Sequence, residues 1–470
     1  MNNNNRSLTA SLAALFGVAF LLLVASCGVG SGGTGMPKSG AQGTVNGFGS
    51  VIVDGVRYDD TQVPTLREDQ PGVETQTASV LGDNLEVEHT DAGVATRVRV
   101  DAALVGPVSS VGAPGTFVVL GQTVVANSDA ARGPVTQFSG GYTGSTSVTA
   151  GDAVEIHGLI VRQGSGFTIQ ATRIGRLTTL PPYLKATGLV SALAIGGFNL
   201  GDLGVDSSTA TLVPQGGLLA NGAVVSVLAP SASLTTSAGA PRIVAAQVRV
   251  KKVGYAGDLV SISGVIANLD TATTRFELGG VSVLYAGASI SPAGSSLATG
   301  RYVRVSGVVA TDGSVQASTV TMRDGVSEPE GELHGNIIGY AAATKTFSVR
   351  GVAVDASAAT LESCPVGGLA EGLYVEVEGA LGSTGVVARK VHCEGEAAGS
   401  TVERTGIASA VDTAATSFVL TPSSAAPISV HWTATTYFKA VTPATLAGKR
   451  VEIQGTLANG VLTAQQVELN

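Results

Sequence analysis

The sequence predicts an all-β protein that consists of six small barrels in tandem. Glycine is abundant, with 63 residues among 470, whereas aromatic residues make up only 4%. This composition suits short strands joined by glycine-rich turns better than long helices. Three sequence patterns also recur six times in the same order. Hydrophobic residues reach 44% and charged residues only 13%, which excludes the disorder that low hydrophobicity and high net charge produce.

The chain is acidic, with a net charge of −8 and a pI near 5.2. Proteins that bind nucleic acids present a basic surface that neutralises phosphates. The charge balance therefore argues against a nucleic-acid partner.

Residues 1–26 have the pattern of a targeting segment and are kept apart from the fold. Arg6 precedes an apolar run of 14 residues, Leu12 to Ala25, which is shorter than the ~20 residues of a membrane-spanning helix. The run leads into the letters V-A-S-C, ending at Cys27, which resemble a bacterial lipobox. The resemblance implies a lipoprotein signal peptide over 1–26 and lipidation of Cys27. The alternative is an ordinary secretory signal that is cleaved nearby.

Residues 27–42 are rich in Gly and Ser, which suits a flexible tether behind a lipid anchor. Gly28, rather than Asp, follows Cys27. By resemblance to lipoprotein sorting, this favours the outer membrane, on its periplasmic or its surface face. Later apolar runs fall well short of a membrane span, so the membrane is expected to be a partner through the lipid anchor.

The strongest repeat signal is the pattern Gly-x-x-φ-x-φ, in which φ is apolar. Its glycines are spaced 69 to 78 residues apart. They are Gly82, Gly151, Gly222, Gly300, Gly372 and Gly448. In four copies another glycine follows two residues after the pattern, namely Gly158, Gly307, Gly379 and Gly455.

Two further patterns keep the same order. An Ala-x-x-φ motif follows each glycine pattern, beginning at Ala95, Ala171, Ala245, Ala317, Ala388 and Ala464. A glycine also opens a Val/Ile-rich stretch in each unit, at Gly43, Gly106, Gly188, Gly264, Gly335 and Gly406. The patterns agree on six units of about 71 residues. The predicted units are 43–101, 102–182, 183–252, 253–330, 331–402 and 403–470.

The pattern of each unit predicts a set of short strands. In Val375-Glu-Val377-Glu, for example, apolar and polar residues alternate, so one face is buried and the other is solvated. A unit with about five strands must protect its sheet edges, and closure into a small barrel achieves this.

The order of these motifs resembles a bacterial repeat family, the domain of unknown function 5666. The resemblance covers nearly all of residues 43–470 and implies small OB-like barrels in exported proteins, with no assigned activity. Units 1 and 3 depart from the pattern, because His89 and Ala229 stand at the closing glycine. The fifth unit carries the motifs most completely, at Gly335, Phe347, Val352, Asp355, Thr360, Leu369, Gly372, Gly379 and Val391.

No motif of a known catalytic chemistry is evident. Gly28, Gly30 and Gly33 match a dinucleotide fingerprint but lack the strand and helix that such a site needs. The chain has no nucleophile elbow, phosphate-binding loop, EF-hand loop or zincin helix. We expect no enzyme activity, no cofactor and no metal. The histidines are expected to be exposed at strand ends: His89, His157, His334, His392 and His431.

The fifth unit contains two cysteines, Cys364 and Cys393. In an exported chain, two cysteines in one small domain favour a disulfide. Cys393 occupies an apolar last-strand position, and Cys364 precedes a turn that crosses the same barrel. Buried free thiols, or a metal site with His334 and His392, are the alternatives, although the spacing fits no zinc motif.

Charge is unevenly distributed between units 1 and 3. Unit 1 has eleven carboxylates against four arginines, whereas unit 3 has five basic residues against two acidic ones. Solvated loop charge is the expected explanation, with a calcium site in unit 1 as the alternative. Lys251 and Lys252 are expected to be a strand-end or linker pair.

The predicted function is a non-catalytic cell-envelope lipoprotein that acts as a multi-barrel binding or scaffold protein. The alternative is an extracytoplasmic module that binds a saccharide or small ligand, since OB barrels bind oligosaccharides. An unidentified enzyme is the third. Some aromatic residues could stack on a ligand, although they could equally well pack in the barrel cores. These candidates are Tyr142, Tyr285, Tyr302, Tyr340, Tyr374, Tyr437 and Trp432.

Overall fold

Strands dominate the chain in the computed structural model. The structure describes residues 39–60, 63–237, 239–323, 331–365, 367–393, 401–422, 427–458 and 460–469. Cys27, the predicted signal peptide over 1–26 and most of the predicted tether lie outside these ranges. The described residues form strands and four short 3₁₀ turns, and none forms an α-helix. Among them, no helix has the length and apolarity to cross a membrane.

The first three barrels follow one another along the chain. The first comprises β1 (Ser39–Phe48), β2 (Val51–Val53), β3 (Val56–Tyr58), β4 (Thr65–Gln70), β5 (Val73–Gln76), β6 (Asn84–His89) and β7 (Ala95–Val100). The second comprises β8 (Leu104–Val111), β9 (Thr116–Val119), β10 (Gln122–Ala126), β11 (Gln137–Ser139), β12 (Ala153–Gln163) and β13 (Gly166–Arg176). The third comprises β14 (Tyr183–Ala194), β15 (Gly197–Leu200), β16 (Leu203–Asp206), β17 (Thr211–Val213), β18 (Val224–Pro230), β19 (Thr235–Ser237), β20 (Ala240–Val244) and β21 (Gln247–Val250).

The remaining barrels complete the chain. The fourth comprises β22 (Leu259–Val265), β23 (Ala267–Asp270), β24 (Arg275–Leu278), β25 (Val281–Leu284), β26 (Ser289–Ser291), β27 (Tyr302–Val309) and β28 (Val315–Met322). The fifth comprises β29 (Gly331–Asn336), β30 (Ile338–Ala341), β31 (Thr346–Val349), β32 (Val352–Asp355), β33 (Thr360–Glu362), β34 (Tyr374–Gly382) and β35 (Gly385–Cys393). The sixth comprises β36 (Thr401–Asp412), β37 (Ser417–Thr421), β38 (Ile428–Lys439), β39 (Arg450–Ala458) and β40 (Val461–Leu469). The 3₁₀ turns are Ala130–Arg132, Ser145–Ser147, Ser231–Ser233 and Pro443–Thr445.

The sixth barrel shows the strand order most simply. It closes in the order β36-β37-β38-β40-β39. The pairing of β38 with β40 is parallel, and the other pairings are antiparallel. The second barrel repeats this ring, with β10 parallel to β13 and β12 antiparallel to β8. The predicted all-β fold of small OB-like five-stranded barrels is therefore confirmed.

The six pattern glycines occupy the same turn. Their φ angles are all positive, from 76° to 91°, a conformation that favours glycine. Each glycine N–H donates to a carbonyl in the first strand of its own barrel or in the residue directly after that strand, for example Gly82 to Val45 at 2.9 Å and Gly448 to Ala408 at 2.8 Å. This hydrogen bond fixes the turn at the entry to the strand that follows.

The closing glycine marks a β-bulge. The register between β34 and β35 shifts between Glu378 and Gly379. A Cβ on Gly379 would lie 2.2 Å from the Val387 carbonyl oxygen. The close approach of the two strands therefore leaves no room for a side chain at this position. In the first barrel the register shift falls between Glu88 and His89.

The apolar cores follow the alternation along each strand. In β34, Val375 and Val377 are buried, and Glu376 and Glu378 are half-buried. The cores are not all separate. One continuous cluster spans the first and fifth barrels, and another spans the second and third. The fourth and sixth barrels have clusters of their own.

Strand pairing also joins neighbouring barrels. Strand β1 pairs in parallel with β22 of the fourth barrel and with β29 of the fifth. Strand β8 of the second barrel pairs with β14 of the third. At several junctions a sheet therefore continues from one barrel into the next. The outer faces of the two barrels are buried where they meet.

Candidate functional site between four barrels

A cavity lies where the first, second, fifth and sixth barrels meet. Its volume is about 570 Å³, within the range typical of small-molecule sites. Its polar lining contains four carboxyl groups and three cations, which are Asp60, Glu403, Glu452, Glu468, Arg173, Arg350 and Lys439.

The sixth barrel supplies four of these charges from its outer face. In β39 the apolar Val451 and Ile453 point into the barrel, so Glu452 between them points outwards. Glu452 lies directly opposite Glu468 on β40, and Glu468 lies beside Lys439 on β38. Adjacent strands thus place acidic and basic groups side by side.

Arg350 joins the fifth barrel to this face. It lies in the turn between β31 and β32, and its guanidinium contacts Glu403 at 2.8 Å and also Glu452. The same guanidinium lies 5.6 Å from the centre of the Phe48 ring. We call Arg350, Lys439, Asp60, Glu403, Glu452 and Glu468 the Arg350 cluster.

Lys439 joins the first barrel to the same cluster. Its ammonium lies 3.2 Å from Asp60 and 3.3 Å from Glu468. Although burial alone would lower it, Glu468 and Asp60 raise the pKa of Lys439 above its ordinary value. Lys439 therefore stays charged while it is only 3% exposed.

The two carboxyl groups beside Arg350 titrate differently. Burial, reinforced by the neighbouring Glu403, raises the pKa of Glu452 well above its ordinary value despite the Arg350 guanidinium. Burial acts in the same sense on Glu403, but Arg350, Glu452 and the Tyr374 hydroxyl hold the pKa of Glu403 below its ordinary value. The pair therefore favours one carboxylate, on Glu403, and one neutral carboxyl, on Glu452.

A second buried group of charges joins the first barrel to the second. Arg173 donates to Asp83 at 2.6 Å and also contacts Glu155. Burial alone would raise the pKa of Glu155, but His157, Arg173 and Arg67 hold it far below its ordinary value. These charges fix the orientation of the two barrels.

His157 lies inside that group, so the expectation of an exposed histidine is wrong here. It is fully buried, and its Nδ1 accepts a hydrogen bond from the Asn84 backbone N–H at 3.0 Å. His334 is also buried, at 9% exposure. His89 and His392 are half-buried and His431 is exposed. Burial by a neighbouring barrel, which strand alternation does not reveal, explains the difference.

The uneven charge of units 1 and 3 is also explained by a barrel contact. Asp101 of the first barrel accepts from Lys185 at 2.5 Å and contacts Lys251, and Glu68 accepts from Arg249 at 2.6 Å. The interpretation of these groups as solvated loop charge is therefore wrong, because they pair across the interface of the first and third barrels.

The fourth barrel contacts the first through Tyr302. This residue is 4% exposed, and its hydroxyl donates to Asp54 at 2.5 Å. Arg304 donates to the Asp54 carbonyl at 2.7 Å. The first barrel also contacts the fifth through the pairing of β1 with β29. When this pairing is included, polar contacts link the first barrel to each of the other five.

Most of the aromatic candidates serve packing. Tyr142, Tyr302 and Trp432 are buried. Tyr142 donates to Asp152 at 2.7 Å, and the Trp432 ring packs edge-on against Phe438. Tyr374 donates to Glu403 at 3.0 Å, next to the cavity. Tyr285, Tyr340 and Tyr437 are half-buried.

Glu332, His334 and Glu376 form a group whose ligand atoms lie within 4.8 Å of one another. Such a set could hold a cation. The Arg57 guanidinium, however, lies 2.8 Å from His334 and contacts Glu332. A positive group of the chain itself thus already pairs with Glu332, one of the two carboxylates of this set.

Cys364 and Cys393 form a disulfide in the structure, with the Cα atoms 4.7 Å apart. It ties the loop after β33 to the last strand of the fifth barrel. The pair lies away from the cavity lining. It is a structural link of the barrel.

Sequence reasoning missed the Arg350 cluster. Each member stands at a polar position of an alternating strand or in a turn, where solvent exposure is the ordinary expectation. The available signal was the recurrence of charges at matched positions of β38, β39 and β40, which are Lys439, Glu452 and Glu468. It becomes informative only once a second barrel is known to cover that face.

Comparison with known families supports the repeat. The family model described as "Domain of unknown function (DUF5666)" matches residues 105–175, 263–321, 334–392 and 405–468, more than half of the chain. These segments lie in the second, fourth, fifth and sixth barrels. The first and third barrels, outside the matches, are those with His89 and Ala229 at the closing glycine. No curated protein matches the chain.

Proposed function

The chain belongs to the family described as domain of unknown function (DUF5666), and on that premise we propose a non-catalytic cell-envelope lipoprotein that acts as a binding or scaffold protein. The observation that carries the proposal is the set of polar contacts from the first barrel to the other five. Buried ion pairs require fixed partners to offset desolvation. A body assembled in this way presents its outer surfaces in a fixed arrangement, which suits a scaffold.

Cross-linking in the cell envelope tests the scaffold. Tagged full-length protein is cross-linked in intact cells, purified, and the attached proteins are identified by mass spectrometry. Specific envelope proteins should be enriched over a Cys27→Ala control that lacks the anchor. Equal recovery from both samples would contradict a membrane-associated scaffold.

The proposed location is the outer membrane, through lipidation of Cys27. The short apolar run, the V-A-S-C letters and the Gly/Ser-rich tether support it. Cys27→Ala should move the protein from the membrane fraction to the soluble fraction, as measured by immunoblot after a high-salt wash. Retention of the variant in the washed membranes would contradict the lipid anchor.

A second candidate function is binding of a small ligand. The cavity of about 570 Å³ favours it, because a site of this size encloses a small molecule. Ligand binding does not depend on the anchor, so purified protein can test it.

A further inference from the structure

We infer that the cavity between the first, second, fifth and sixth barrels binds a neutral polyhydroxyl ligand, a saccharide of one or two rings. The inference rests on the second candidate function and deepens it by naming the ligand class.

The construction of the cavity favours a preformed binding site. Four barrels supply its walls, so their relative positions define its shape. Two contacts hold the second barrel against the fifth, with the Gln137 amide donating to Gly382 at 2.7 Å and the Phe138 N–H donating to Ser383 at 3.0 Å. Lys439 and Asp60 hold the sixth barrel against the first. The walls are thus fixed before a ligand enters, which lowers the entropic cost of binding.

The charges of the lining favour a neutral ligand. Arg350 and Lys439 are paired within the Arg350 cluster, and Arg173 is paired with Asp83 and Glu155. Each of the three cations of the lining thus already has carboxylate partners within the chain. A charged ligand would have to break existing pairs at a cost. A neutral ligand would not.

The lining contains both hydrogen-bond donors and hydrogen-bond acceptors. Carboxylate oxygens accept hydrogen bonds, the amides of Gln454 and Gln466 both donate and accept, and the hydroxyls of Ser79 and Thr384 do the same. Within the described chain, no hydrogen bond engages the Gln454 side chain. Sugar hydroxyls likewise donate and accept, so the lining is complementary to several hydroxyls at once.

Part of the cavity wall is apolar. Phe48 and Phe138 line the cavity together with Val80, Leu81 and Leu469. A saccharide presents C–H groups on the faces of its ring, and an apolar wall with a few placed polar groups is typical of small-ligand sites. Polar and apolar walls in one cavity therefore fit a sugar better than an inorganic ion.

Binding to purified full-length protein tests the inference. Glucose, maltose and N-acetylglucosamine are the sugar probes, measured by saturation-transfer NMR and titration, and spermidine and inorganic phosphate are the charged probes. At least one sugar should bind more tightly than both charged probes. Binding of spermidine or phosphate with no binding of the three sugars would overturn the ligand class.

A pair of tryptophan variants tests the location. Ala78 is an exposed residue of the cavity lining, and Ala92 is an exposed turn residue of the same barrel outside the lining. Ala78→Trp should weaken sugar binding at least tenfold by filling the cavity, whereas Ala92→Trp should change it less than twofold. Unchanged thermal unfolding shows that both variants fold. Equal effects of the two variants would overturn the site, without bearing on the cross-linking test of the scaffold.

Discussion

The first and sixth barrels are built from the same motifs but differ in how they relate to the rest of the molecule. The sixth closes on its own five strands around its own apolar core, with Phe418 at 1% exposure. The first shares its core with the fifth barrel, and its strand β1 pairs with strands of two other barrels. The sixth barrel is a self-contained unit. The first barrel is a hub, by which we mean the barrel that contacts all the others.

The difference shows how a repeat can be specialised without changing its strand order. In the first barrel, carboxylates at outward positions meet basic groups of its neighbours. Glu68, Asp83 and Asp101 each accept from a cation on the second or third barrel. The first barrel also has His89 where the bulge glycine of other units stands. Outer-face chemistry, rather than the core pattern, thus distinguishes the hub.

The largest expected effect comes from removing a cation at the hub. Arg173→Leu removes the cation that the buried Asp83 and Glu155 share and leaves them only His157 and, for Glu155, Arg67. Loss of one partner of a buried pair costs about 3–5 kcal/mol. Arg97→Leu is the matched control, because the Arg97 side chain is 43% exposed and exposed pairs contribute less than about 1 kcal/mol. Denaturant unfolding measures both. Equal losses of unfolding free energy in the two variants would contradict the distinction between charges buried at the contacts of the first barrel and charges on its surface.

Removal of the disulfide is expected to have the next largest effect. It closes a loop of about 30 residues, so replacing both Cys364 and Cys393 with Ala should cost about 3–4 kcal/mol. The loss should appear in the fifth barrel and in the first, which share a core, and not in the sixth. Hydrogen exchange locates the loss. Labelling of both thiols in the native, unreduced protein would contradict the disulfide.

The smallest effect is expected at Glu452. Its raised pKa means that its contribution to stability is complete below the ordinary value of 4.5 and is lost as the pH rises through the folded-state pKa. Glu452→Gln cannot ionise, so it should change the unfolding free energy by less than about 1 kcal/mol at pH 5. As the pH rises, the unfolding free energy of this variant should increase relative to that of the wild type.

Glu403→Gln is the control for that measurement. The lowered pKa of Glu403 means that its carboxylate stabilises the fold above the unfolded-state pKa, and this contribution is lost as the pH falls. The variant should therefore be the less stable of the two at pH 7. The reverse ranking would show that Glu403, and not Glu452, holds the proton.

The sequence was sufficient to predict the interior of each barrel. Alternation such as Val375-Glu-Val377-Glu shows which face is buried, and the repeated glycines mark turns that need a positive φ. Both signals are local, since they depend on a strand's own period and on one residue's backbone. The four segments matched by the family model contain these motifs.

The contacts between barrels could not be predicted in the same way. His157 and Glu452 stand at positions that would be solvated in an isolated barrel, and both are buried because another barrel covers them. The opposite charges of units 1 and 3 contained this information, but composition alone does not show which surfaces meet. The cavity and the Arg350 cluster arise at such junctions, so they were missed for the same reason.

Native-state hydrogen exchange at increasing denaturant concentration tests the distinction between hub and self-contained barrel most directly, because it follows the opening of each strand. We predict that the first-barrel strands β1, β6 and β7 open together with the strands of the fifth barrel, in the most protected step. The sixth barrel should open in a separate step at lower denaturant. Opening of the first barrel alone, before its neighbours, would contradict its role as the hub.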